Sequence, residues 1–292
     1  TDDLHGLTLS VHHRYEPLGE MLLLGDGGTV RGAGVPRIIE RVAGVADGSS
    51  VSPTTGAPAL SRHFDNVAGV AVSPSGLVHF SERGAHRIWR VEDDGRLTHI
   101  AGTGTEGSTG DDGPAVLAEI TWPGHLAFGP RGELYFTSPA AGASPSTRII
   151  RRIDTDGVIH RVAGNGDRGD AVEAVGDGLA AVDAPLESPH HPAFGPDGAL
   201  YFVDGLSTLR MVDTAGRLRT LNPRASREFG LDTDATPLAR ADLGAIGAFT
   251  VAHDGTFYIG TLDGVIFRIG ADRLLFRVAG GGDIDFDREL GP

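Results

Sequence analysis

The chain has 292 residues, 40% of them hydrophobic, no cysteine and a formal net charge of −14, and its 25 basic residues are all arginine. A chain of this length can bury a large core, and the absence of cysteine removes any disulfide framework or thiolate site. The acidic balance disfavours nucleic acid as a partner, and no apolar run approaches the roughly 18 residues a membrane helix needs, so a soluble chain without membrane insertion is expected.

Turn glycines mark out the chain in order. Gly19, Gly76, Gly132, Gly198 and Gly255 close the turns Glu16-Pro-Leu-Gly, Ser73-Pro-Ser-Gly, Gly129-Pro-Arg-Gly, Gly195-Pro-Asp-Gly and Ala252-His-Asp-Gly, at spacings of 57, 56, 66 and 57 residues. Twelve residues before each glycine stands an apolar residue: Leu7, Phe64, Ile120, Leu186 and Leu243. After each glycine a second strand is predicted, as in Leu77-Val-His-Phe80, Leu134-Tyr-Phe136 and Leu200-Tyr-Phe-Val203. Third strands follow at Arg87 to Val91, Ile149 to Ile153, Leu209 to Val212 and Val265 to Ile269. Fourth strands end in a recurring tag, Arg41-Val-Ala-Gly44, His99-Ile-Ala-Gly102, Arg161-Val-Ala-Gly164 and Arg277-Val-Ala-Gly280, which repeat four replaces with Thr220-Leu-Asn-Pro223. Acidic, glycine-rich linkers run between the repeats and end in a helical turn, for example Pro114 to Glu119.

Four short strands per repeat, repeated radially, predict an all-β fold: a β-propeller of four-stranded antiparallel blades. Five repeats are visible, at about 7–44, 64–102, 120–164, 186–223 and 243–280, within a single domain covering 1–292. The expectation is a five-bladed ring, with a sixth blade possible only from sequence outside this chain. The domain is expected to be monomeric.

Chemistry is sought where the blades converge. Seven residues before the turn glycines the repeats read His12, Gly69, His125, His191 and Ala248, at the start of the innermost strand. Small residues belong at a crowded axis, so three histidines at one position stand out. Three imidazoles at one height can hold Zn²⁺ or another transition metal with an open coordination position. Alternatively they bond water or backbone carbonyls. The pairs His12-His13 and His190-His191 leave the register open by one residue, making His190 the alternative to His191. Arg14, two residues beyond His12, is the candidate anchor for an anionic substrate; its equivalents are Ala71, Ala127, Ala193 and Thr250. Asp111-Asp112, Asp167 with Asp170, and Asp232 with Asp234 can invite Ca²⁺, but none carries the full ligand ladder of a calcium loop, and solvated turns are preferred.

The recurring apolar-Ala-apolar-x-Pro-x-Gly-x-apolar-Tyr-apolar pattern, with Arg-Ile and Val-Ala-Gly downstream, resembles the NHL repeat across nearly the whole chain. The opening Leu9-Ser-Val-His-His-Arg-Tyr-Glu-Pro17, Leu24-Gly-Asp-Gly27, Arg37-Ile-Ile39 and Val42-Ala-Gly44 is similar to NHL propellers embedded in bacterial Rhs/YD-repeat, teneurin-like proteins. That resemblance implies a secreted or cell-surface polypeptide of surface or toxin type. In it the propeller serves as a non-catalytic recognition or scaffolding module for a protein, a glycan or the adjacent YD-repeat shell. Glu82, Ser138 and Thr261 depart from the family's Asp, which Asp204 retains. The competing reading is a metal-dependent lyase or hydrolase with His12, His125 and His191 as ligands. Peptidylglycine lyases, which resemble NHL propellers, place a zinc-binding histidine directly after a proline, and only His190 here follows that placement.

Overall fold

The computed structural model describes residues 41–45, 53–138, 148–171, 173–223 and 235–280. They build a β-propeller. Blade 2 holds β1 (Val67–Val72), β2 (Val78–Glu82), β3 (Arg87–Val91) and β4 (Leu97–Ala101). Blade 3 holds β5 (Leu126–Phe128), β6 (Leu134–Ser138), β7 (Ile149–Ile153) and β8 (Ile159–Ala163), and blade 4 holds β9 (Pro189–Phe194), β10 (Leu200–Asp204), β11 (Thr208–Val212) and β12 (Leu218–Thr220). Blade 5 adds β13 (Thr236–Pro237) outside β14 (Ile246–Val251), β15 (Phe257–Thr261), β16 (Ile266–Ile269) and β17 (Leu274–Ala279). Each of these four blades is an antiparallel meander, and the innermost strands β1, β5, β9 and β14 neighbour one another in that order. Repeat one lies outside the described residues except for 41–45.

The helical turns expected between repeats are single 3-10 turns at Ala59–Ser61, Ala115–Leu117, Ala181–Asp183 and Leu238–Arg240. A Pro or Ala just before each pairs with the following blade's outermost strand or the residue beside it: Pro58 with Arg96, Pro114 with Val158, Ala180 with Arg217 and Pro237 with Leu274. These hooks cover an edge that would otherwise expose unpaired peptide groups.

The core lies between blades. Ile88 and Ala101 of blade 2 pack with Leu126 and Phe136 of blade 3, Ile150 and Tyr135 of blade 3 with Leu200 and Phe202 of blade 4, and Val203 and Leu209 of blade 4 with Phe249 and Phe257 of blade 5. One ring contact recurs at each of these junctions: His79 on Phe128 at 4.9 Å between centroids, Tyr135 on Phe194 at 4.6 Å and Tyr201 on Phe257 at 4.7 Å. These edge-to-face pairs suit the quadrupoles of aromatic rings.

The tag glycine has a structural reason. Gly44, Gly102 and Gly164 donate their N–H to the carbonyls of Ala59, Ala115 and Ala181, the alanines opening the next 3-10 turn, at 3.0, 3.0 and 2.8 Å. Gly102 has φ of +91°, and a Cβ there would strike the His86 carbonyl. In repeat four, which lacks the tag, the side chain of the buried Asn222 bonds the start of the third strand of its own blade: it accepts from Leu209 N–H at 2.8 Å and donates to the Ser207 carbonyl at 3.0 Å.

Two outcomes follow. Gly102→Ala combines a left-handed backbone with a backbone collision and is expected to cost more than about 2 kcal/mol in urea denaturation, whereas Gly95→Ala, left-handed with open space around it, costs about 1 kcal/mol. Equal losses would refute the close-approach account. Burial holds the His79 imidazole down to about 4 from its ordinary 6.5. Between those values the unfolded chain takes up a proton that the folded chain refuses, so this contribution is complete above pH 6.5 and is lost as pH falls toward 4. His79→Tyr, copying Tyr135 and Tyr201, is expected to shrink the loss of urea midpoint between pH 7 and pH 5; an unchanged loss would assign the acid sensitivity elsewhere.

Candidate functional site

In blades 2, 3 and 4 the last residue of the second strand faces the linker that feeds the innermost strand and uses whatever side chain it has to hold that linker, whereas Thr261 of blade 5 bonds Val265. Glu82 accepts from Asp65 N–H at 2.9 Å and from the Trp89 indole at 2.7 Å. Asp204 accepts from Glu187 and Ser188 N–H at 3.0 and 2.8 Å and from Arg210 at 3.1 Å. Ser138 accepts from Thr121 N–H and donates to the Thr121 carbonyl. Burial raises both carboxyls, opposed at Glu82 by the Asp65 N–H and Trp89 and at Asp204 by Arg210 and the Ser188 N–H. The acids are bound into blade joints instead of facing a substrate.

The acidic linkers are held from beneath by two arginines that sequence reasoning missed. Trp89, Arg151 and Arg210 occupy one position, opposite Phe80, Phe136 and Phe202 on the second strand. Arg151 and Arg210 are fully buried. Arg151 pairs with Asp111 at 3.0 Å and bonds the Glu119 and Ser108 carbonyls. Arg210 bridges Asp204 and Asp177 and bonds the Val175 carbonyl at 2.7 Å. Asp111 also meets Arg161 at 3.3 Å, and His160 sits between Asp112 at 2.7 Å and Asp154 at 3.1 Å, which raise its pKa. Asp111 therefore serves as counter-ion to Arg151 and Arg161, and Asp112 is engaged by a hydrogen bond with His160. Asp167 forms a local turn bond with Asn165, and Asp232 and Asp234 lie outside the described residues. The only sequence signal for the arginines was their alternation with Trp89 at one repeat position.

Three imidazoles meet at the axis. His125 lies 4.1 Å from His191 and 6.1 Å from His190 between ring centroids, and His190 is 4.8 Å from His191. The remaining two predicted residues, His12 and Arg14, lie outside the described residues. Of Arg14's equivalents, Ala71 packs against the core between blades 2 and 3 and Ala193 against the core between blades 4 and 5.

The register resolves in an unexpected way. In blades 2 and 5 the first strand bulges early, so that Gly69 pairs with Ser81 and Ala248 with Gly260. In blade 4 His190 takes that place, opposite Val203, and the bulge falls at His191-Pro192, opposite Phe202. Pro192 has no N–H for the ladder, which moves the irregularity there. His191 is consequently the extra residue, with φ of +51°.

His190 Nε2 lies 2.7 Å from the Gly205 carbonyl, and its Nδ1 lies 2.6 Å from His191 Nδ1. Burial lowers all three imidazoles, His125 to about 4 and His191 to about 3, with smaller downward contributions at His125 from His190 and Arg83 and at His191 from His125 and His190. The Arg83 guanidinium sits 5.3 Å above the Trp122 ring, and the Trp122 N–H donates to His86 Nδ1 at 3.2 Å. Among the described residues no group of three or more His, Cys, Asp or Glu is arranged to hold a metal ion. His125 and His191 stack at 33° between ring planes.

No family model matches the chain. It is similar to Teneurin-m of Drosophila melanogaster, 28% identical over 230 residues, which cover 75% of this chain and 8% of that protein. It is also similar to Teneurin-4 of Mus musculus, 26% identical over 210 residues, covering 65% of this chain and 7% of that protein. The chain thus spans less than a tenth of the length of these curated relatives. Among solved structures, a streptogramin B lyase is 18% identical with a TM-score of 0.44, covering 74% of this chain and 55% of that one. A gluconolactonase from Xanthomonas campestris is 20% identical with a TM-score of 0.45, covering 72% of this chain and 60% of that one.

Arg210→Met is expected to cost about 3 to 5 kcal/mol, because it leaves the Asp204 carboxyl buried without its cation. A guanidinium denaturation series would show it, and a loss below about 1 kcal/mol would mean that the two backbone N–H groups alone hold Asp204.

Proposed function

We propose that this propeller is a non-catalytic recognition or scaffolding module of a much larger Rhs- or teneurin-like polypeptide, secreted or displayed at the cell surface. It binds a protein, a glycan or an adjoining YD-repeat shell. The observation that carries this reading is the similarity to Teneurin-m, which takes in three quarters of this chain yet less than a tenth of that protein. The interior chemistry supports it: Glu82, Asp204, Arg151 and Arg210 are engaged in joining blades and linkers.

An antibody raised against the purified propeller tests the reading in the native cells. The expected result is a polypeptide several times heavier than 30.4 kDa that protease removes from intact cells. A free species of the propeller's own mass, protected inside the cell, would overturn it. Metal analysis of the purified propeller tests the non-catalytic part. About one equivalent of zinc retained through dialysis and lost in His125→Ala/His191→Ala would put a metal-dependent lyase or hydrolase in its place.

A further inference from the structure

The hydrogen bonds at the axis fix which ring nitrogens carry protons. A carbonyl only accepts, so His190 Nε2 must donate to Gly205. The buried His190 is neutral near pH 7, so its Nδ1 carries a lone pair, and His191 Nδ1 must donate to it. His191 is neutral as well, which leaves its Nε2 as a free acceptor. A backbone carbonyl thus sets the tautomer of His191 through a second imidazole, just as an outer partner orients a ligating or catalytic histidine.

Among the described residues neither His191 Nε2 nor either ring nitrogen of His125 has a hydrogen-bond partner, yet none of them is sealed from solvent. Arg83, whose charge reaches His125, has no carboxylate partner among the described residues and lies over Trp122. His191 and Trp122 are both left-handed, at φ of +51° and +45°, and each directly precedes a proline. Backbone conformations of this kind persist only where surroundings enforce them, and they concentrate at ligand sites. A bulge beside a site re-aims a side chain, here His191.

We propose that Arg83, Trp122, His125 and His191 form a binding site at the axis for a small hydroxylated carboxylate. His191 Nε2 accepts the ligand hydroxyl, His125 supplies a further donor, and Arg83 pairs with the carboxylate. His190 is a positioning residue that acts through His191. This site stands whether or not the propeller lies within a longer surface polypeptide.

Imidazole nitrogen NMR on the intact chain, titrated with D-glucuronate, tests it. Without ligand, His191 is expected as the Nδ1–H tautomer and His190 as the Nε2–H tautomer. Glucuronate at up to about 10 mM, the weak end of small-ligand affinity, is expected to shift the His191 and His125 ring signals saturably. Arg83→Ala, or replacing glucuronate by uncharged glucose, is expected to weaken binding at least about tenfold, the scale of a charge-assisted hydrogen bond. His190→Ala is expected to let His191 mix tautomers and to weaken binding while the other propeller resonances stay in place. An Nε2–H tautomer at His191, ring signals indifferent to glucuronate, or equal binding of glucose would each overturn the proposal. None of these results would change the size or surface exposure of the native polypeptide, so the two proposals fail separately.

Discussion

The ring depends on how the chain crosses from the outermost strand of one blade to the innermost strand of the next. Each crossing is a long linker between ladders, and every peptide group it buries must find a partner. The same solution recurs at successive junctions. A tag glycine bonds the alanine of the 3-10 turn, a Pro or Ala hooks the next outer edge, and the last side chain of the second strand catches the linker as it turns inward. Apolar slabs between blades then have two sheets held in register to pack between.

The buried arginines belong to the same constraint. A guanidinium at zero exposure is costly unless each donor is matched. Arg151 and Arg210 meet the demand in part: their terminal nitrogens reach carbonyls and a carboxylate of the linker outside their own sheet, while Nε of Arg151 has only its ion-pair contact with Asp111 and Nε of Arg210 has no hydrogen bond. Much of the linkers' acidity near these blades is therefore structural: Asp111 and Asp177 neutralise cations that the blades bury. Blade 2 solves the problem without a cation, since the Trp89 indole is donor enough for Glu82. The partners change together within one chain: carboxylate with donor in blades 2 and 4, and hydroxyl in blade 3, where Arg151 turns to Asp111 instead.

The strands were legible because their signals are local. Turn glycines, β-branched and aromatic runs and the Val-Ala-Gly tag depend on neighbours a few residues away, and β3 and β7 fall on the residues read from the sequence. The arginine clamps were not legible, because all the named partners except Asp204, six residues from Arg210, lie 32 to 43 residues distant and the same Arg would read as surface in any strand pattern. Of the histidines read as one set, His125 and His191 lie together while His12 falls outside the described residues, and the register that the sequence left open between His190 and His191 falls to His190. Counting back from Gly198 puts His191 in line with Gly69 and Ala248, whereas the ladder puts His190 there. Counting cannot see a bulge move, although Pro192 was the visible reason for it.

That single displaced bulge separates blade 4 from its neighbours in a way packing does not require. Blades 2 and 5 satisfy the aligned position with Gly69 and Ala248, and the Gly69 site leaves no room for a side chain against the backbone of Gly124 and His125. Blade 4 instead holds a histidine in the ladder and forces a second into a left-handed conformation beside it. A left-handed residue with a full side chain costs about 1 to 2 kcal/mol, and gathering three neutral imidazoles where small residues suffice adds desolvation. Sequences that depart from their own repeat at such a cost, with a neighbouring Arg left without a carboxylate among the described residues, do so where function outweighs stability. Among the described residues, the axis of blades 2 to 4 is where that departure is concentrated.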